Sequence, residues 1–164
     1  MTVEIPLSQG YVALVDDDDA AAVLAAGKWS ACVRPTHPTY ALRATRRPDG
    51  GWTSIRLHNF LTGWRYVDHI NGDGLDNRRA NLRPATQATN NRNKSVGTRN
   101  KSGFKGVCWH KAAEKWCAQV GVDGRRIYLG LFVDPLEAAR VYDAAAREHH
   151  GEFARLNFPL EDVA

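Results

Sequence analysis

Cysteine is scarce in this chain and poorly spaced for chemistry. Cys32, Cys108 and Cys117 form no C-x-x-C pair, which argues against a zinc knuckle and a disulfide framework. Long apolar runs are missing too. No stretch approaches the roughly 18 residues that a membrane-spanning helix needs. The chain does not start with the basic-then-apolar pattern of a secretory signal, so the expectation is a cytoplasmic protein with no membrane association. A large net charge is also lacking, at +4 over 164 residues. What remains is ordinary: 43% hydrophobic and 24% charged residues, the make-up of a globular chain with one domain or two small ones.

The charge is unevenly placed. Residues 1–60 carry six basic and six acidic side chains, 61–101 carry eight and three, and 102–164 carry eight and nine. A basic central stretch is the footprint of phosphate binding, or else a solvated surface.

The first 60 residues read as β-rich. Val3, Ile5 and Leu7 alternate with polar residues, and Tyr11–Val15 is a strand-length apolar run. The acidic run Asp16–Asp19 precedes Ala20–Ala26 and Gly27. This predicts a short helix with acids at its positive end and a glycine stop. Strands are predicted around Trp29, Tyr40–Leu42 and Trp52–Ile55, separated by Pro and Gly turns. A short helix is predicted from Leu57. His58 within it supports a site, touches phosphate, or is a packed or surface histidine. Residues 1–56 are either a sheet supporting the central stretch or a DNA-contacting piece.

Residues 67–93 read V-D-H-I-N-G-D-G-L-D-N-R-R-A-N-L-R-P-A-T-Q-A-T-N-N-R-N. Cutting a phosphodiester needs a base to activate water, a cation to offset developing charge, and a fixed backbone. His69 has a side chain with an ordinary pKa of about 6.5, suited to the first task. Asp68 offers a hard carboxylate oxygen and Asn90 an amide oxygen, and Mg²⁺ is held by such sparse oxygen sets plus water and phosphate.

The string D-H-I-N-G-D-G-L-D-N-R-R-A-N-L-R resembles the HNH endonuclease motif, in the variant whose last histidine is asparagine. The resemblance implies a β-hairpin and helix around one Mg²⁺, with Mn²⁺ a possible substitute. It makes His69 the general base, Asp68 and Asn90 metal ligands, and Asn81 the brace that fixes the loop and orients the histidine. Asn71 and Asn77 read as loop formers, and Arg78, Arg79 and Arg83 as phosphate clamps or internal ion-pair partners. One departure is Asn59 after His58, where related endonucleases often carry arginine.

Residues 87–103 are polar, basic and nearly free of apolar side chains. They form a helix end and a linker, in which Arg92, Lys94, Arg99 and Lys101 track a DNA groove or belong to a flexible tether. Beyond them, strands are predicted at Phe104–His110, Lys115–Val122 and Arg125–Phe132, with Asp123-Gly124 as a hairpin turn. Period-2 reading puts Val107, Trp109, Trp116, Ala118, Val120, Ile127, Leu129 and Leu131 on one face. Cys108, His110, Cys117, Gln119, Gly121, Arg126 and Tyr128 fall on the other. Asp134-Pro135 opens a helix with an apolar stripe of Ala138, Val141, Tyr142 and Ala145. Trp109 and Trp116 are expected in the core.

The motifs G-F-K-G-V, K-W-C-A-Q-V, Y-L-G-L-F, E-A-A-R-V-Y-D-A-A-A and L-N-F-P resemble the DNA-binding domain of plant ethylene-response-factor (Apetala-type) transcription factors. That family lays its open sheet face in the DNA major groove. Lys105, His110, Gln119, Arg126 and Tyr128 match its contact positions, and Lys111 joins the DNA-binding set beside them. Cys108 and Gly121 stand where plant members usually carry arginine, which changes the expected target sequence.

The expected fold class is α+β: a β-rich N-terminal region leading into a ββα-metal nuclease motif over 1–93, a basic linker at 94–101, and a three-stranded antiparallel sheet packed on one helix over 102–164. The function expected is a homing-type endonuclease of phage or mobile-element origin. It would act in the host cytoplasm on double-stranded DNA, as a monomer or a homodimer. The alternatives are a DNA-binding regulator with an inactive nuclease domain and a nuclease without sequence preference.

Overall fold

The computed structural model describes residues 1–35, 37–97 and 100–159, and only the backbone of His37. The fold is α+β, with four α-helices and several small antiparallel sheets among the described residues. No helix among them is long and apolar enough to cross a membrane. The chain divides into two compact units, Met1–Gln87 and Ala88–Ala164.

The first unit starts with a hairpin of β1 (Thr2–Pro6) and β2 (Val12–Asp16). Val3 faces Val15 and Ile5 faces Ala13 across it, so the pairing sends Ile5, Ala13 and Val15 inward. Helix α1 (Asp17–Ala25) follows, with Asp16 as N-cap and Asp17–Asp19 in its first turn, where the helix dipole favours acids. Strands β3 (Ser30–Arg34), β4 (His37–Arg46) and β5 (Trp52–Arg56) make a second sheet in that order. Helix α2 (Leu57–Thr62) closes on Gly63 in the left-handed conformation. One core joins these pieces, built on Ile5, Val15, Val23, Trp29, Ala41 and Leu57. A small hairpin of β6 (Val67–His69) and β7 (Leu82–Pro84) completes the unit.

The loop between β6 and β7 is fastened to the N-terminal hairpin. Leu14 of β2 accepts from the Asn77 N–H at 2.8 Å and donates to the Leu75 carbonyl at 2.8 Å. The acidic run is a second fastener, beyond the capping role expected of it. Asp19, itself buried, takes both guanidinium arms of Arg79 at 2.9 and 2.8 Å. Asp16 accepts the Arg79 backbone N–H at 2.7 Å. The third fastener is steric. A Cβ on Gly74 would lie 2.4 Å from the Thr39 carbonyl and 2.6 Å from the Tyr40 ring, so the loop lies against β4 only because residue 74 has no side chain.

In the second unit, helix α3 (Gln87–Asn93), which begins at the boundary, precedes β8 (Val107–His110), β9 (Lys115–Val122), β10 (Arg125–Phe132) and helix α4 (Pro135–His150). The sheet order is β10-β9-β8. Strand β8 is shorter than the expected Phe104–His110. The chain turns through Gly106 (φ +76°), whose missing Cβ makes room for the Tyr142 ring. Asp123 and Gly124 both have positive φ, the backbone of a tight hairpin. Asp134 caps α4 by accepting from Leu136 N–H at 2.9 Å. The buried stripe of α4 runs through Ala138, Ala139, Tyr142 and Ala146, with Val141 and Ala145 half-buried at its margin.

One period-2 assignment, Leu131, and one core expectation, Trp109, need correction. The register slips between Tyr128 and Gly130, so Leu131 pairs with Cys117 and leaves the core face, while Phe132 pairs with Trp116 and packs there. A bulge reverses the alternation beyond it. Trp116 packs against the core as expected, but Trp109 is 48% exposed and meets Trp116 edge-on, with ring centroids 5.0 Å apart. The C-terminal tail folds back as expected: buried Asp143 of α4 accepts from the backbone N–H groups of Asn157 at 2.9 Å and Phe158 at 2.8 Å.

Candidate active site

Strand β6 places Asp68 and His69 side by side, and both are buried. Across the hairpin, Asp68 faces Arg83. Arg83 donates from Nε at 2.9 Å and from one Nη at 2.6 Å, both to Asp68 Oδ2.

The His69 ring lies among side chains from three other segments. Its Nε2 is 3.4 Å from Asn77 Oδ1. The His58 ring of α2 is 4.9 Å away and the Tyr40 ring of β4 is 5.8 Å away, centroid to centroid. Burial pulls the His69 pKa below its ordinary value. The Asn77 hydrogen bond and the charges of Asp68, Asp73 and Asp76 oppose that pull. Burial, with His69 and Arg56 adding to it, takes His58 down to about 3. His58 is therefore a packed, neutral imidazole at physiological pH.

Asn81 ties the loop together. Its Oδ1 accepts from Asn71 N–H at 3.0 Å, and its Nδ2 donates to Asn71 Oδ1 at 3.0 Å and to the Asp76 carbonyl at 2.8 Å. The Asn81 carbonyl accepts from Ile70 N–H at 2.9 Å, next to His69. Asn77 does more than form the loop. It is completely buried, its amide donates to the Leu75 carbonyl at 3.0 Å, and its oxygen is aimed at His69. Nothing in the sequence separates Asn77 from the other loop asparagines, because its contact with His69 exists only once the loop lies on β2.

The three arginines of the loop and β7 are all engaged by carboxylates. Arg78 grips Asp76 at 2.8 and 2.7 Å, Arg79 grips Asp19, and Arg83 grips Asp68. Asn59, which follows His58 in α2, donates to the Trp64 carbonyl at 2.6 Å.

Among the described residues no three His, Cys, Asp or Glu side chains converge as a metal cluster. One carboxylate, Asp68, is a sparse, hard donor set. It fits Mg²⁺ or Mn²⁺ completed by water and phosphate oxygens better than zinc, which prefers nitrogen and sulfur. Asp68 stands in the first unit. Asn90 lies on α3, in the second.

The other DNA-binding candidates also belong to the second unit. His110, Lys111, Arg126 and Tyr128 are exposed on or beside the sheet, and Gln119 is half-buried with its amide 3.6 Å from Cys108 Sγ. Lys105 is not with them. Its ammonium donates to the carbonyls of Arg92 and Lys94, tying the end of α3 to the turn before β8, and burial pushes its pKa down to about 8. Arg92 pairs with Asp123 at 3.2 Å. Lys94 and Lys101 are exposed, and Arg99 lies outside the described residues.

No family model matches the chain. The chain is 37% identical to Protein 3.8 of Escherichia phage T7 over 90 residues, 55% of this chain and 74% of that protein. It is 35% identical to an uncharacterized HNH endonuclease of Acanthamoeba polyphaga mimivirus over 92 residues, 56% of this chain but 46% of the relative. Over 52 residues it is 44% identical to dehydration-responsive element-binding protein 2A of Arabidopsis thaliana, 30% of this chain and 16% of the plant protein. The chain thus spans less than half of the last two and about three quarters of the first. By that coverage and identity, it belongs to the family of Protein 3.8 of Escherichia phage T7.

Proposed function

We propose that the chain is a metal-dependent DNA endonuclease whose cutting unit is the β6–β7 hairpin and its loop, and whose site is selected by the sheet of the second unit. The observation that carries this reading is the buried His69, set beside Asp68 on one strand, with its Nε2 3.4 Å from Asn77 Oδ1 inside a loop laced by Asn81. The likeness to a viral HNH endonuclease and to a plant element-binding protein supports the two halves of the reading.

In this mechanism His69 takes a proton from water through its unprotonated ring nitrogen. The resulting hydroxide attacks phosphorus, the bond to the 3′ oxygen breaks, and the leaving oxygen takes a proton from solvent water, to which His69 returns the one it took. The products are a 5′-phosphate and a 3′-hydroxyl. Asn77 holds the imidazole ring by its hydrogen bond, and Asn81 keeps the loop from spreading. Burial lowers the His69 pKa and so favours the neutral form that a base requires. Asp68 would hold Mg²⁺, or Mn²⁺ in its place, a ligand role that the resemblance also gives to Asn90, and the cation would supply charge stabilisation at the phosphate and the leaving oxygen. The partner is double-stranded DNA in the host of a phage or mobile element. A monomer would nick it, and a homodimer would cut both strands.

One observation favours a second reading, a DNA-binding regulator with an inactive nuclease. Arg83 places two hydrogen bonds on Asp68 Oδ2, neutralising the carboxylate that would hold the metal. Plasmid nicking separates the two readings. With Mg²⁺ the wild-type chain is expected to nick and His69→Ala to lose at least a hundredfold in rate. No metal-dependent cutting by the wild type would leave the regulator.

A further inference from the structure

We propose that the open face of the β3–β4–β5 sheet is a second DNA-binding surface, which carries the duplex away from the cut. The proposal rests on the nuclease reading only for the position of the scissile phosphate. In the first 60 residues, acidic and basic side chains balance, and that balance hides a segregation. All acids before residue 20 lie in β1, β2 and α1, whereas residues 30–66 contain six arginines and a single acid, Asp49. Asp49 is committed to its own turn, accepting from Gly51 N–H at 2.8 Å.

Register decides which side chains share the open face. Ala41 is buried in the core, and Ile55 packs against it from the same side. The pairs Leu42↔Arg56, Ala44↔Ser54 and Arg46↔Trp52 therefore stand on the other side, together with Tyr40. Arg46, Trp52 and Arg56 are exposed there. Trp52 is 63% exposed, a large aromatic area left open to solvent. The Arg46 guanidinium lies 4.5 Å over its ring, and that of Arg56 lies 5.1 Å over the Tyr40 ring. An arginine spread on an aromatic face is held flat and keeps donors for phosphate.

Charge state separates these arginines from those of the β6–β7 hairpin and its loop. Arg78, Arg79 and Arg83 are each neutralised by a carboxylate. Among the described residues, no carboxylate pairs with Arg46 or Arg56. The face is also continuous with the active site, since Tyr40 at its inner end is 5.8 Å from His69. From Tyr40 to Arg46 the strand rises about 20 Å at roughly 3.3 Å per residue. That is the axial length of about six base pairs. An exposed sheet face with arginines free of carboxylates along that length is complementary to a phosphate backbone, and the partner is duplex DNA flanking the cut.

The test is fluorescence anisotropy of the full chain in EDTA on a labelled 40-base-pair duplex of random sequence, at several salt concentrations. Arg46→Ser should weaken binding several-fold and flatten the slope of log affinity against log salt by about 0.9, the value for one lost phosphate contact. Arg46→Lys should keep the slope. Trp52→Ser should weaken binding several-fold and leave the slope unchanged. Parental affinity and slope in both serine variants, with unchanged circular dichroism, would overturn the proposal. So would a loss confined to single-stranded DNA. Nicking by the wild-type chain with Mg²⁺ is measured alongside. If nicking is present and binding is unaffected by the variants, only the sheet face falls. If nicking is absent and the slope is changed, only the cutting falls.

Discussion

At the scale of single residues, the site turns on which asparagine meets the histidine. The resemblance assigns His69 to Asn81, yet Asn77 is the residue whose oxygen points at the ring. Asn77→Ala should therefore lower single-turnover nicking by about 10- to 100-fold, the usual cost of losing a partner that orients an active group. Duplex affinity should stay at the wild-type level. Equal losses in both quantities would make Asn77 a folding residue only. His58 gives a second residue-scale prediction. Its folded pKa of about 3 lies below the unfolded value of about 6.5. The unfolded chain thus takes up a proton first as pH falls. The stability gained by keeping His58 neutral is complete above about pH 6.5 and is lost as pH falls from there toward 3. In NMR the His58 ring resonances should not titrate between pH 5 and 8, and the first unit should melt at a lower temperature at pH 5 than at pH 7.5.

At the scale of elements, close approach governs both units. The loop between β6 and β7 can lie on β4 because Gly74 has no side chain, and β8 can lie on α4 because Gly106 has none. A Cβ on Gly106 would sit 1.9 Å from the Tyr142 ring, at a φ of +76°. Overpacking and backbone strain add, so Gly106→Ala should cost the second unit more than about 2 kcal/mol, read as a fall in its melting temperature. The fastener between α1 and the loop is electrostatic and weaker. Arg79 is half-exposed, so solvent screens its pair with Asp19. Asp19→Asn should cost the first unit about 1 kcal/mol in urea unfolding and less in high salt.

At the scale of the whole molecule, the proposed functions of cutting and holding reside on different elements. Chelation should therefore stop nicking while leaving duplex binding within about twofold of its value with Mg²⁺, since phosphate contacts by arginine and lysine need no metal. Anisotropy and nicking run in parallel with EDTA, Mg²⁺ and Mn²⁺ would check this, and a collapse of binding on chelation would tie DNA holding to the metal site.

Local signals carried much of this protein by themselves. Alternating apolar residues predicted β1, a strand-length apolar run predicted β2, Asp134-Pro135 predicted the start of α4, and Asp123-Gly124 predicted the β9–β10 turn, because caps, turns and strand faces depend on neighbours a few residues apart. Asp68 and His69 are neighbours in the chain and were read together directly, whereas Asn81 and Asn90 were joined to them by resemblance. Long-range pairing was not legible. The sequence could not show that the acidic run at Asp16–Asp19 would clamp Arg79, sixty residues on, or that Lys105 would reach the carbonyls of Arg92 and Lys94. Nor could it show that β10 would slip one residue at Gly130, or that two sets of arginines would differ in whether a carboxylate reaches them. Composition and spacing decided the inventory of elements and the chemistry available. Tertiary structure decided which charges are neutralised and which face solvent, since that depends on partners the folded chain brings together across long sequence separations.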